Sequence, residues 1–263
     1  MCIRDSPYPV DDSSILPFYD LQAFLSSSDN SYLNTINIIG NPFSYPYKAE
    51  LMDLLYSIPV KKNFYLTAST ACRFIKEIQQ IDLPNYELYI YYEQEEASIH
   101  HILTEKQIPF HWIYLISSEK QYEDLEKLET KYGNEYVEVH PIYTGDNLPF
   151  FEENVYLAEE DILQSNYDKQ DIFAHQVMNT NFWGRLSVLP DGKVYSNLNH
   201  PPLGTLKDRV YDLIVDEMTS KRAWRWIRDE VSPCKDCLFR YLCPSPSNYE
   251  LVIGKPNLCH VKP

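Results

Sequence analysis

The spacing of apolar residues alternates between two patterns from residue 35 to about residue 165. Short apolar or β-branched runs predict strands, and longer segments with apolar residues every three or four positions predict amphipathic helices. The predicted strands cover residues 35–39, 63–67, 86–91, 110–116 and 136–142. The predicted helices cover residues 18–27, 47–57, 70–80, 93–107 and 119–132, with a looser helical stretch to about residue 164.

This alternation predicts an α/β fold with about five strand-helix units. Strands separated by helices pair in parallel through right-handed crossovers, which gives either a doubly wound sheet or a barrel. The helix over residues 18–27 comes before the first strand and has no strand of its own. We therefore expect part of a longer alternating array.

The pattern changes near residue 180. Residues 185–189 and 193–196 predict a hairpin around Pro190-Asp191-Gly192, since Asp-Gly between strand-like runs favours a tight turn. Helices are predicted over residues 206–218 and 220–230, and a loop-rich segment follows. Residues 1–180 contain 11 Lys and Arg against 29 Asp and Glu, whereas residues 181–263 contain 12 against 9. We predict two domains, residues 7–180 and a small α+β domain over residues 181–263.

Composition excludes several classes of protein. A chain of 263 residues that is 44% hydrophobic can bury a core, so it is not mainly disordered. With 7 glycines it has no Gly-rich phosphate loop. The net charge of -15 argues against nucleic acid as a partner. No apolar run reaches the roughly 18 residues of a membrane span, so we expect no membrane partner.

Four cysteines near the C-terminus are the strongest chemical signal. They follow the spacing C-x2-C-x5-C-x15-C, and they are Cys234, Cys237, Cys243 and Cys259. Four thiolates suit either one zinc ion or one 4Fe-4S cluster. Disulfides are disfavoured, because nothing else indicates a small secreted scaffold. Free thiolates need a reducing compartment, so we expect cytoplasmic residence.

Other candidate residues are weaker. Cys72 lies among apolar neighbours in a predicted helix, where a cysteine is usually a small buried hydrophobe. His260 could replace Cys259 as a ligand. Arg222, Arg225 and Arg228 recur every three residues, which could grip an acidic leader peptide, but a solvated helix face with two buried indoles is the favoured interpretation. No catalytic residue can be assigned.

The C-terminal segment resembles the SPASM domain of peptide-modifying radical SAM enzymes. The resemblance rests on residues 186–195, on 203–206, and on the cysteine tail from Cys237 to His260. Asn197 and Ser247 stand where that family has further cysteines, which serve a first auxiliary cluster. The family's second cluster uses the positions of Cys234, Cys237, Cys243 and Cys259. The resemblance therefore implies one 4Fe-4S cluster on these four residues.

The preceding residues resemble, more diffusely, the later five units of a radical SAM (β/α) barrel. That family's second strand ends in Gly-Gly-Glu-Pro, which holds the amino group of S-adenosylmethionine, whereas this chain has Ile39-Gly40-Asn41-Pro42. Asn41 cannot supply a charged acceptor to an ammonium group. The motif C-x3-C-x2-C is absent, and its place would lie near or before residue 7. Residues 1–6 resemble the translation of a sequencing adapter, so we expect a longer native chain and disregard Cys2.

Both departures match pseudo-radical-SAM proteins that accompany peptide natural products made from Gly-Gly-leader precursors. The resemblance implies an accessory that binds the precursor peptide or a radical SAM maturase, or passes an electron, without binding S-adenosylmethionine. One alternative is an active radical SAM peptide-modifying enzyme whose cluster motif lies upstream of residue 7. A second alternative is a zinc-stabilised binding module.

Overall fold

The computed structural model describes residues 14–27, 31–92, 97–132, 137–220, 222–255 and 257–261. Residues 1–6, assigned above to an adapter, lie outside them. The described chain forms two compact units. The sheet unit comprises residues 14–18 and 31–142, and the cysteine unit comprises residues 19–27 and 143–261.

The sheet unit is built on five parallel strands whose spatial order equals their order in the sequence. The strands are β1 (Thr35–Ile39), β2 (Lys61–Thr67), β3 (Tyr86–Tyr91), β4 (Phe110–Ile116) and β5 (Val137–Pro141). The predicted α/β class is therefore confirmed. Because the order never reverses, right-handed crossovers place the connecting helices on one face of the sheet.

The two faces of this sheet differ in chemistry. In β2, β3 and β4, alternate residues on one face are buried and mostly apolar, including Phe64, Leu88 and Trp112, and Lys62 is fully buried among them. Helices pack on the sheet, as α6 (Glu119–Tyr132) does on β4 and β5. The sheet unit contains α2 (Lys48–Ser57), α3 (Ala68–Arg73), α4 (Ile75–Ile78), α5 (Ala97–Glu105) and α6 (Glu119–Tyr132). The opposite face bears half-buried polar and aromatic residues, such as Tyr89 and His111.

One predicted helix of the sheet unit is divided. The periodicity predicts a single helix over residues 70–80, but α3 ends at Arg73 and α4 begins at Ile75. Phe74 lies between them with φ -110° and ψ 25°, and its ring stacks on Phe43 at 5.7 Å. This long-range aromatic contact accompanies the break, and no pattern within the helix indicates it.

The cysteine unit consists of short elements. Its helices are α1 (Phe18–Leu25, which enters the unit at Tyr19), α7 (Leu148–Asn154), α8 (Glu159–Gln164), α9 (Lys169–Val177), α10 (Val210–Ser220) and α11 (Asn248–Ile253). The predicted hairpin is present: β6 (Ser187–Val188) pairs antiparallel with β7 (Lys193–Tyr195), and β8 (Gly204–Thr205) completes a three-stranded sheet. Gly192 has a positive φ of 79° in the turn, a conformation that glycine adopts readily.

The division between the units falls at residues 142 and 143, not near residue 180. Residues 143–180 pack with the C-terminal segment: the ring of Phe151 lies 5.1 Å from that of Tyr249, and Leu157 pairs with Cys259 in a short parallel bridge. The change in charge and texture near residue 180 thus lies inside the cysteine unit. These contacts join segments about a hundred residues apart, which local composition does not reveal.

The helix predicted over residues 220–230 is wrong. Within the described residues 222–230 the chain forms turns and then a 3-10 turn, Arg228–Glu230. Side chains bind the backbone groups that a helix would pair: Glu217 accepts from the Trp224 N–H at 2.9 Å, and Asn179 donates to the Trp226 carbonyl oxygen at 2.9 Å. These partners compete with a continuous helical ladder.

None of the described helices combines the length and the apolar character that a membrane span requires.

Candidate metal centre

The four C-terminal cysteines line one cavity in the cysteine unit, with Arg228 and Asn257 among the polar side chains of its wall. The cavity is small, with a volume of about 20 Å3. Cys234 is buried, the other three cysteines are half-buried, and none of these four forms a disulfide. They are Cys234, Cys237, Cys243 and Cys259.

The first two cysteines come from one tight turn. Cys234 begins a 3-10 turn (Cys234–Asp236), which follows a cis peptide bond between Ser232 and Pro233. The backbone N–H of Cys237 donates to the Cys234 carbonyl oxygen at 3.0 Å. The two-residue spacing therefore closes a turn, from which both thiols reach the same cavity.

Cys243 ends a second turn, in which its N–H donates to the Phe239 carbonyl oxygen at 3.0 Å. Asparagines fix the segment that follows. Asn179 donates to the Pro246 carbonyl oxygen at 2.8 Å, and Asn181 donates to that of Ser245 at 2.9 Å. The loop after Cys243 is therefore tied to the end of α9.

Cys259 reaches the cavity from a third segment. The Leu157 N–H donates to the Leu258 carbonyl oxygen at 3.0 Å, and the His260 N–H donates to the Leu157 carbonyl oxygen at 3.0 Å. The Asn257 amide donates to the Cys259 sulfur at 3.3 Å. The His260 ring bonds the Glu152 carbonyl oxygen at 2.7 Å through Nε2 and is not among the residues that line the cavity. This geometry favours Cys259 over His260 as a ligand.

A buried ion pair forms part of the cavity wall. Arg228 Nη1 contacts both the Glu250 carboxylate and, at 3.7 Å, the Cys234 sulfur. Its Nε donates to the Pro244 carbonyl oxygen at 3.0 Å. The Arg228 side chain is 9% exposed and that of Glu250 is 1% exposed. Glu250 also accepts from the Ser247 N–H at the start of α11. A guanidinium is thus fixed in the wall between the loops of two cysteines.

Burial raises the pKa of the Cys234 thiol, although nearby Arg228 lowers it in part. Burial also raises the pKa of Cys243 to about 12; Arg228 opposes this, and the other three cysteines add to it. The charges of the neighbouring thiols therefore act on Cys243 and, in the case of Cys259, on Cys234. A bound cation would stabilise the thiolates and displace their protons.

Four thiol donors suit either a single zinc ion or an iron-sulfur cluster. Among the described residues, no three Cys, His, Asp or Glu side chains come close enough together to hold one metal ion. A tetrahedral zinc site draws four sulfurs to about 2.3 Å from one point. An iron-sulfur cluster binds each cysteine to a separate iron and keeps the sulfurs further apart.

The remaining candidates lie elsewhere. Cys72 is half-buried on α3 in the sheet unit. Arg222 pairs with Asp216 at 3.1 Å. Asn41 caps the turn after β1, where its side-chain oxygen accepts from the Phe43 N–H at 3.1 Å. None of these three lines the four-cysteine cavity.

The interpretation of Arg228 as part of a solvated helix face is wrong, because no helix forms there and the side chain is buried against Glu250. Sequence reasoning missed this pair. A usable signal existed in Ser247-x-x-Glu250, a capping-box spacing that predicts the start of a helix. This spacing predicts that a helix begins near Ser247. It does not predict that Glu250 also pairs with Arg228.

Comparison of the chain with known protein families, with curated proteins and with solved structures finds no match.

Proposed function

We propose that the cysteine unit binds one 4Fe-4S cluster through Cys234, Cys237, Cys243 and Cys259. The observation that carries this proposal is that all four thiols, from three separate segments, line a single cavity. When bound, such a cluster supplies one-electron transfer. The protein's own residues provide the thiolates, and Asn257 and Arg228 donate N–H groups toward two of the sulfurs.

Only one cluster is proposed. Asn197 and Ser247 stand where the SPASM resemblance implies further cysteines, and each has another role. The Asn197 amide donates to Asn248 at 2.7 Å, and Ser247 begins α11 by donating its N–H to Glu250. Because Asn197 is hydrogen-bonded through its amide and Ser247 caps the start of α11, neither position offers a further thiolate. This supports a single cluster in this unit.

We further propose that the sheet unit is part of a radical-SAM-like barrel without S-adenosylmethionine chemistry. Two observations support this. The strand order runs from β1 to β5 without reversal, as in a segment of a barrel. Asn41 uses its side-chain oxygen to cap the turn after β1, where the resemblance would require a carboxylate for an ammonium group.

Together these features favour a catalytically degenerate accessory in the maturation of a ribosomally made peptide. Its partners would be the precursor peptide, a radical SAM maturase, or both. The test uses a fluorescently labelled Gly-Gly-leader precursor peptide that is encoded beside the gene for this chain. We expect the fluorescence anisotropy of this peptide to rise when the chain binds it. If neither this precursor nor a maturase encoded there binds the chain, the accessory role is overturned.

The metal assignment is tested on chain purified without oxygen and reconstituted with iron and sulfide. We expect brown protein with roughly four iron and four sulfide per chain. The Cys243→Ser variant should lose most of this iron, whereas the matched control Cys72→Ser should keep it. Colourless protein with one zinc per chain would instead support the zinc-stabilised module.

The active-enzyme alternative has its own test. A radical SAM enzyme binds S-adenosylmethionine and cleaves it when reduced, so the chain extended by its upstream codons is incubated with that cofactor and dithionite. We expect no cleavage product. Cleavage would overturn the accessory role while leaving the four-cysteine site intact.

A further inference from the structure

The wall of the four-cysteine cavity contains a charged side chain that is not one of the four proposed ligands. Arg228 is buried, and one of its nitrogens lies 3.7 Å from the Cys234 sulfur. We propose that Arg228 is a positioning residue that makes the site easier to reduce by one electron, with Glu250 acting in the opposite direction. This inference rests on the proposed function, since it concerns the cluster proposed there.

The contacts of Arg228 fix its position from two sides. Its Nε donates to the carbonyl oxygen of Pro244, the residue after Cys243, at 3.0 Å. Glu250, on α11, holds Nη1, the same nitrogen that contacts the Cys234 sulfur. A planar guanidinium suits this role, because it offers several donors in fixed directions. Arg228 therefore holds its charge beside the sulfur with little freedom to leave.

A second arginine near the cavity provides the natural comparison. Arg240 also lines the cavity, but it donates to the Cys237 carbonyl oxygen at 3.1 Å and pairs with Asp229 at 2.8 Å. Its side chain is 31% exposed. Water and salt screen an exposed charge far more than a buried one. Of these two arginines, Arg228 should dominate the electrostatic effect on the sulfurs.

The direction of the effect follows from charge. Reduction adds one electron from an external one-electron donor, and it breaks no bond and moves no proton. The reduced site is more negative than the oxidised one, so a nearby buried cation stabilises it more. N–H contacts to ligand sulfurs act in the same direction. The Glu250 carboxylate pairs with the same Arg228 nitrogen that contacts the Cys234 sulfur, so its negative charge opposes that of Arg228.

The experiment measures the midpoint reduction potential of the reconstituted holoprotein, followed by electron paramagnetic resonance while dithionite is added with mediators. Iron and sulfide are counted in every sample. We expect Arg228→Gln to lower the potential and Glu250→Gln to raise it. Arg228→Lys keeps the positive charge, so its reduction potential should lie between those of Arg228→Gln and the wild type. Arg240→Gln, the matched control, should shift the potential least.

The two proposals fail in different ways. Wild-type chain without iron and sulfide would overturn the proposed function. A wild-type cluster whose potential is the same in Arg228→Gln and Arg240→Gln would overturn only the role of Arg228. If Arg228→Gln retains no iron, the reduction potentials of Glu250→Gln and Arg228→Lys test the role of Arg228 instead. Equal potentials in those two variants and the wild type would then overturn the proposal.

Discussion

The two units of this chain differ in how deeply their best-packed ion pairs are buried. In the sheet unit, ion pairs lie at the partly exposed surface, as with Lys61 and Glu87 at 2.7 Å, whose side chains are 43% and 29% exposed. In the cysteine unit, the paired side chains of Arg228 and Glu250 are almost completely buried. Periodic apolar faces stabilise the sheet unit. The cysteine unit has short elements and depends more on buried polar contacts.

This difference suggests that the two units depend on different interactions for their stability. Burial of side chains such as Leu66 and Trp112, both within 1% of full burial, stabilises a sheet without help from a ligand. A unit whose cavity is lined by four free thiols gains stability when a bound group replaces their protons. Changes in one unit should therefore leave the other largely intact.

The largest expected effect comes from Cys243→Ser. Cys243 is one of the four thiols that line the cavity and one of the proposed ligands, so its loss should remove most of the bound iron. Hydrogen exchange followed by mass spectrometry should then be faster over residues 143–261 and unchanged over 31–142. Equal acceleration in both ranges would contradict the proposed independence of the two units.

Arg228→Met should have the next largest effect. Removing one partner of a buried pair leaves the other charge uncompensated, which typically costs about 3–5 kcal/mol in the free energy of unfolding. Urea unfolding followed by hydrogen exchange over residues 143–261 would measure this cost. The double variant Arg228→Met with Glu250→Leu should recover much of the loss. A cost below about 1 kcal/mol, the value of an exposed pair, would show that the burial of this pair has no energetic consequence.

Leu66→Ala tests the independence of the two units by destabilising the sheet unit. Leu66 is fully buried on β2, and truncating such a side chain costs about 2–5 kcal/mol. The loss should appear as faster hydrogen exchange over residues 31–142, while the iron content stays at the wild-type level. Loss of iron in this variant would mean that the metal site depends on the core of the sheet.

The smallest expected effect is the acid dependence of Glu138. A hydrogen bond from His140 lowers the pKa of this half-exposed carboxyl, and burial opposes the shift. A lowered pKa in the folded state stabilises the protein above the ordinary carboxyl pKa of about 4.3, and this contribution is lost as pH falls through the folded value. Solvent screening keeps the contribution below about 1 kcal/mol.

Urea unfolding of the wild type and of Glu138→Gln, compared from about pH 6 to about pH 3, checks this expectation. The stability difference between the two proteins should shrink as pH falls. A constant difference over that range would assign the effect of the substitution to lost packing instead.

The two units also differ in what the sequence reveals. The predicted bounds of β1, β3, β4 and α6 agree with the structure to the residue, because each has a clear period and ends at a change in that period. The helix predicted over residues 220–230 fails, because Asn179 and Glu217 bind its backbone from elsewhere in the chain.

The candidate site shows the same contrast. The spacing of the cysteines is sufficient to choose them as one ligand set, and the structure places them around one cavity. The ion pair beside them joins Arg228 to Glu250 across 22 positions, and no local pattern relates two residues at that separation. Contacts that depend on the tertiary fold are those that sequence reasoning missed.

X-ray absorption of the reconstituted chain decides between a cluster and a zinc ion, because it reports the atoms around the bound metal. We predict an iron edge with sulfur neighbours and a second shell of iron neighbours, and we predict that Cys243→Ser loses both. A zinc edge with four sulfurs and no metal neighbour, abolished by the same substitution, would contradict this prediction.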